Sequence, residues 1–168
     1  MSEDTMMIEK IIAHSRAAQA RYEAMGSQAL FDKACQAVAW VLMQPARNRA
    51  LAEMAVQETG LGNADDKVRK NHNKTLGLMR DIKDVTAFGH VEDDDENGLS
   101  IYYRPKGVIA AVVPSTNPLA TPVNNIINAL KTGNAIILAP SPKGVKPLLA
   151  LFEHIHPALA KLGLPEDL

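Results

Sequence analysis

Two short, unbroken apolar runs restrict what this chain can fold into. They are GVIAAVVP, Gly107 to Pro114, and NAIILAP, Asn134 to Pro140. Runs this short with no alternating polar positions suit strands buried on both faces, the condition found in parallel sheets. Each leads into a turn that places a polar side chain before a proline, first Asn117–Pro118 and then Ser141–Pro142. A capping residue followed by proline marks a helix start, because proline lacks an N–H that the first turn would leave unpaired anyway. The first helix is predicted to run to about Lys131, and the second to reach Leu162 and end at Gly163. The order β-α-β-α joins into a right-handed parallel unit with helices against the sheet. Two strands leave an unpaired edge and an uncovered apolar face, so the α/β sheet is expected to be incomplete.

Upstream, apolar positions recur at three and four, predicting four helices. The first spans about Thr5 to Met25, with Ile8, Ile11, Ile12 and Tyr22 on its buried side and Gly26 beyond it. Ser27 is an N-cap for the second, whose stripe is Phe31, Ala34, Cys35, Val38, Val41 and Leu42 before Pro45. The third, Ala46 to Thr59, groups Leu51, Met54, Ala55 and Glu58 and stops at Gly60. The fourth, Asp65 to about Arg80, is basic along Lys67, Arg69, Lys70 and Lys74, a run that reads as a solvated face or as a contact for phosphate. The acidic EDDDENG, Glu92 to Gly98, reads as an exposed turn before a hairpin or edge strand at Ile101, Tyr102 and Tyr103. Three segments follow: helices over 1–91, hairpin strands over 92–106 and the start of a nucleotide-binding sheet over 107–168.

Composition narrows the function classes. With 18 basic and 19 acidic residues in 168, net charge -1, there is no polyanion-binding footprint. No apolar run approaches the roughly 20 residues of a membrane span. The N-terminal MSEDTMMIEK lacks the basic and apolar segments of a secretory signal, so the expectation is a cytoplasmic protein without nucleic-acid or membrane partners. One cysteine, Cys35, excludes an internal disulfide framework, and its place on an apolar stripe makes it a core residue rather than a nucleophile. His154 and His156 sit two apart on a helix and diverge, and no metal site is expected.

In open parallel sheets, ligands bind at the carboxyl ends of strands. Pro114, Ser115, Thr116, Asn117 and Pro118 form the first such turn; free N–H groups and the helix dipole there suit an anion or a developing oxyanion, or Asn117 simply caps its helix. The second turn, Ala139, Pro140, Ser141, Pro142, Lys143 and Gly144, suits a nucleotide with Lys143 near a phosphate, or is a capped helix start with a solvated lysine. No GxGxxG fingerprint is present.

The stretch RPKGVIAAVVPSTNPLATPVNNIINALKTGNAIILAPSPKG, Arg104 to Gly144, resembles the start of the Rossmann-like nucleotide-binding domain of the aldehyde dehydrogenase superfamily. ETGLGNADDKVRKNHNKT, Glu58 to Thr75, is similar to its CoA-acylating branch, including the aldehyde half of bifunctional alcohol/aldehyde dehydrogenases and the sulfoacetaldehyde and succinate-semialdehyde enzymes. The resemblance implies oxidation of a small aldehyde through a cysteine thioester, with NAD or NADP as hydride acceptor and coenzyme A as acyl acceptor. It implies that Asn117, or Thr116 on an ungapped superposition of the common motif, donates to the oxyanion. It further implies that Val113 to Thr116 and Ala139, Pro140, Ser141 and Lys143 line the cofactor groove. The lysine that many non-acylating members carry at the position of Ala139 is absent, leaving the choice of NAD or NADP open. Strands near Ile101 to Tyr103 would serve assembly into dimers or tetramers. The nucleophilic cysteine would lie beyond Leu168, so the chain alone is expected to be an inactive N-terminal part. A non-acylating dehydrogenase and a non-catalytic nucleotide-binding or oligomerising chain are the competing expectations.

Overall fold

The computed structural model describes residues 2–165 and 167–168; Met1, in the expected segment 1–91, and Glu166, in the expected segment 107–168, lie outside the described residues. Four helices come first: α1 Glu3–Ala24, α2 Gln28–Met43, α3 Pro45–Thr59 and α4 Ala64–Ile82. An antiparallel hairpin, β1 Gly89–Asp94 and β2 Leu99–Tyr103, follows. Then come β3 Val108–Val113, α5 Ala120–Lys131, β4 Ala135–Pro140, a 3₁₀ turn Pro142–Gly144 and α6 Val145–Ala160. β3 and β4 pair in parallel, as the two apolar runs require. None of the described helices is long and apolar enough to cross a membrane.

The core is a helical layer between α2 and the sheet. Phe31, Ala34, Cys35, Val38, Val41 and Leu42 of α2 are buried together with Leu119, Val123, Ile126, Ile127 and Leu130 around α5 and Leu148, Leu151 and Ile155 of α6. Burying each large apolar side chain stabilises by about 1.5–3 kcal/mol, which makes α2 the central pillar. Ser27 caps it as expected, its Oγ accepting from the Leu30 N–H at 3.2 Å. Gly60 ends α3 at φ 67°, a left-handed position that a side chain disfavours.

Polar side chains complete the joints. On α1, Gln19 donates to the Gly133 carbonyl at 3.1 Å and Tyr22 to that of Leu130 at 3.1 Å, fixing the helix to the α5–β4 connection. Asn134 Oδ1 accepts from the main-chain N–H groups of Lys106 (2.6 Å) and Gly107 (2.8 Å), so one buried amide organises the entry to β3.

Several expectations are corrected. Ile8 and Ile11 are exposed and Ile12 only half-buried, because burial on α1 begins at Ser15; the first half of the helix faces an open part of the sheet. Glu92, Asp93 and Asp94 belong to β1, and the turn is confined to Asp95–Gly98, where Asp94 accepts from the Asn97 N–H at 3.1 Å. Lys67 is buried at 5% exposure rather than solvated. Helix α6 ends at Ala160, short of Leu162, because the N–H groups of Leu162 and Gly163 donate to the carbonyls of Leu159 and Ala160, three residues back, and the chain tightens out of the α-helix ahead of Gly163.

Candidate functional site

Both strand-to-helix turns leave the same end of the sheet. Val113 and Pro140 are the last partners of the β3–β4 ladder, and the Ser141 N–H continues it by donating to the Val113 carbonyl at 2.9 Å. Pro114–Pro118 and Ser141–Gly144 therefore lie side by side. Gly144 is buried where they touch: a Cβ on it would sit 3.3 Å from Ser141 Oγ and 3.4 Å from Pro118 Cβ. The end of α3 packs on this same 3₁₀ turn, and Glu58 accepts from Lys146 Nζ at 2.9 Å, tying α3 to α6.

The capping roles expected of Asn117 and Ser141 are not found. α5 begins three residues after Asn117, at Ala120, with Leu119 as its cap residue and no side-chain cap. Asn117 instead closes a turn, its N–H 3.4 Å from the Pro114 carbonyl, and its side chain is half-buried beside exposed Thr116. The reason is packing: Pro118, Leu119 and Ala120 are buried and anchor the chain before the helix can start. Pro122 has no N–H and the Val123 N–H is bonded to the Leu119 carbonyl at 3.1 Å, which leaves Ala120 and Thr121 as the first-turn donors. Ser141 caps nothing either, and its Oγ is buried with no partner among the described residues.

Among the other residues expected to line a cofactor groove, Ser115 and Pro140 are half-buried, while Pro114, Ala139 and Lys143 are exposed. The Val113 side chain is buried, so it offers only its main chain to a groove. Its neighbour Val112 is exposed, and nothing in an apolar run announces which of two valines faces outward.

Cys35 is a core residue, as its helical stripe indicates. Its Sγ donates to the Ile127 carbonyl at 3.3 Å, and burial, reinforced by the Asp32 charge, pushes the thiol up to about 12. The basic helix α4 packs on α2, α3 and α5. Burial, with Lys70 second, holds the Lys67 ammonium below the usual lysine range. No cluster of metal-ligating side chains occurs among the described residues. The orphaned Ser141 hydroxyl and the Pro118–Gly144 contact were not legible in the sequence, because both depend on two turns that are distant along the chain.

The aldehyde dehydrogenase family profile matches residues 2–168, the whole described fold. The chain belongs to the aldehyde dehydrogenase family. The acylating sulfoacetaldehyde dehydrogenase of Cupriavidus necator is 53% identical over 161 residues, 96% of this chain and 32% of the relative. Among solved structures, an acetylating aldehyde dehydrogenase from Geobacillus thermoglucosidasius superposes with TM-score 0.89 at 32% identity, over 97% of this chain and 35% of that one. A propionaldehyde dehydrogenase from Rhodopseudomonas palustris, solved with bound CoA and an acylated cysteine, superposes with TM-score 0.80 at 31% identity, over 95% of this chain and 35% of that one. The chain thus spans about a third of the length of these aldehyde dehydrogenases.

Proposed function

We propose that this chain contributes the start of the cofactor site of an NAD(P)-dependent, CoA-acylating aldehyde dehydrogenase acting on a small aldehyde such as sulfoacetaldehyde or succinate semialdehyde. The observation that carries the reading is the junction of the two turns at the carboxyl end of β3 and β4, with a buried, unpartnered Ser141 hydroxyl at its centre. A buried polar atom without a partner is costly unless something supplies one, and Gly144 keeps the space beside it clear of a side chain. These features fit a bound nucleotide.

In that reading the Ser141 hydroxyl hydrogen-bonds the cofactor, Lys143 pairs with a phosphate, and Ser115, Thr116, Ala139, Pro140 and the main chain of Val113 and Pro114 line the groove. A nicotinamide cofactor held by these residues would supply the hydride acceptor, and coenzyme A would be the acyl acceptor. Asn117, with Thr116 as the alternative, donates a hydrogen bond to the oxyanion of the reacting aldehyde. The nucleophile comes from outside the present residues, since Cys35 is buried and protonated. The hairpin, with exposed Leu99, Ile101, Tyr102 and Tyr103, serves subunit assembly.

The test is to fuse the 168 residues to the part of the Cupriavidus necator relative that the match leaves out. NAD(P)H formation from sulfoacetaldehyde and from succinate semialdehyde is then followed with and without CoA. CoA-dependent NAD(P)H and acyl-CoA are the expected products, with no turnover by the 168 residues alone. Free acid formed equally well without CoA would establish the non-acylating class, and a folded fusion that turns over neither substrate would reject the reading.

A further inference from the structure

Helices α4 and α5 run side by side in the same direction. Asp32 and Cys35, early on α2, bond to Lys131 and to the Ile127 carbonyl, so α2 is antiparallel to α5. The same two residues line a small cavity with Lys131 and with Met79 and Ile82, late on α4. Asn48, just past the end of α2, donates to the Val68 carbonyl at 3.0 Å and accepts from Asn71 at 2.9 Å, so α2 is antiparallel to α4 as well. Lys67 lies about 18 Å back along α4 from Met79, and Ala120 about 17 Å back along α5 from Lys131, which brings the lysine level with the α5 N-terminus.

Both groups are electropositive and lack a partner. Ala120 is buried, yet neither its N–H nor that of Thr121 bonds to anything among the described residues. Lys67 is buried too, and the carboxylates near it in sequence are engaged elsewhere: Glu58 by Lys146, Asp65 by Arg49 at 2.7 Å and Asp66 by Arg69. A Cβ on Gly62 would sit 3.9 Å from Lys67 Cε, so the side chain reaches the segment that leaves α3. The end of α3 in turn packs on the 3₁₀ turn whose Gly144 meets Pro118. A buried ammonium without a counter-ion is unfavourable until an anion joins it, and free N–H groups at a helix start attract one.

We propose that Lys67 and the free N–H groups of Ala120 and Thr121 form an anion subsite that selects aldehydes carrying a sulfonate or carboxylate at their far end, with Lys67 as the specificity-determining residue. The inference rests on the acylating reading for the aldehyde. Asn117, the oxyanion donor of that reading, precedes Ala120 by three residues, so carbonyl and anion belong to one short molecule. A nucleotide phosphate is served instead by Ser141 and Lys143 in the neighbouring turn. A neutral aldehyde leaves the ammonium unpaired.

The test uses the 168 residues fused to the remainder of the Cupriavidus necator relative. Ethanesulfonate, an unreactive probe, is titrated by calorimetry alongside NAD(P)+ and CoA, and turnover of sulfoacetaldehyde is compared with that of propanal. Lys67→Met should weaken ethanesulfonate binding at least about tenfold, and should raise KM for sulfoacetaldehyde at least about tenfold more than KM for propanal, the loss of one charge-assisted hydrogen bond. Lys67→Arg keeps the cation and should recover part of both, and Lys67→Gln serves the same comparison if the methionine variant fails to fold. Equal changes for the two aldehydes overturn the proposal, leaving Lys67 a structural residue. Loss of NAD(P)+ or CoA affinity in place of ethanesulfonate affinity overturns it in favour of a phosphate. Absence of ethanesulfonate binding in the unsubstituted fusion overturns it even if acylation proceeds. Ethanesulfonate held through Lys67 by a fusion that turns over no aldehyde upholds the anion subsite while the acylating reading fails.

Discussion

Lys131 at the end of α5 and Asp32 on α2 are 99 residues apart in sequence, yet Lys131 Nζ donates to Asp32 Oδ1 at 2.7 Å. The lysine side chain is 5% exposed and the aspartate 32%, so the ammonium depends on this carboxylate far more than the reverse. Gln28 Nε2 also donates to Asp32 Oδ1, at 2.9 Å, holding the acceptor in place. Asp32→Asn should strand the buried charge and cost about 1–3 kcal/mol in urea unfolding, the cost of a buried group that loses its partner. Adding Lys131→Met to Asp32→Asn should recover part of that loss. Strictly additive losses in the double variant would show that the two groups are not coupled.

The Cys35 thiol should be inert in the native protein and titrate only on unfolding. Its folded value is about 12 against an ordinary 9.0, so the native state keeps a proton that the unfolded chain releases. The stability this contributes is complete below about pH 9 and is lost as pH rises from there toward about 12. Cys35→Ala should flatten part of that alkaline decline, the remainder belonging to Tyr22, whose phenol burial also raises. Rapid reaction of the native chain with a thiol reagent at neutral pH would refute the assignment.

Asn134→Ala should be among the most damaging polar substitutions outside the site. It removes the acceptor for the Lys106 and Gly107 N–H groups and the Nδ2 donor to Thr132 Oγ1 at 2.6 Å. Two main-chain donors left without their partner imply a loss of roughly 2–4 kcal/mol. Asn134→Asp keeps the acceptor oxygen and should lose less at neutral pH. Comparison of the two urea midpoints checks this, and an equal loss in both would place the weight on the amide donor.

Ser141→Ala separates folding from binding. Without a cofactor, removing an unpartnered buried hydroxyl should leave stability unchanged or raise it by up to about 1 kcal/mol. In the fused enzyme the same change should weaken NAD(P) binding by about fivefold to tenfold, the loss of one hydrogen bond. A stability loss with unaltered cofactor affinity would make Ser141 a structural residue only.

Lys67→Met should raise the urea midpoint or leave it unchanged. The lysine is buried, and among the described residues no carboxylate forms an ion pair with it. Methionine keeps the apolar stem while removing an ammonium that is disfavoured by burial and by Lys70. A marked drop in stability would reveal a hydrogen bond made by the ammonium.

What the sequence determined by itself is the local and periodic part of this protein. The stripe Phe31 to Leu42 specified the central helix, Ser27 and Gly60 marked helix ends, and the two apolar runs specified a parallel β-α-β-α unit, because helix period, caps and continuous burial act over a few residues. The turns after both strands were legible for the same reason. Tertiary structure alone decided which groups meet. Asn117 resembles a cap in sequence, but burial of Pro118 to Ala120 delays α5 and frees it from that role. Lys67 resembles one of a row of solvated lysines, and packing of α4 turns it inward. Ile8 and Ile11 carry the helical apolar period of a buried face, yet burial requires a partner surface as well as a pattern, and that face stands open. The Lys131–Asp32 pair, the Asn134 clamp and the Ser141–Gly144–Pro118 junction join residues from separate elements. No local period encodes such contacts, because they arise only when whole elements dock.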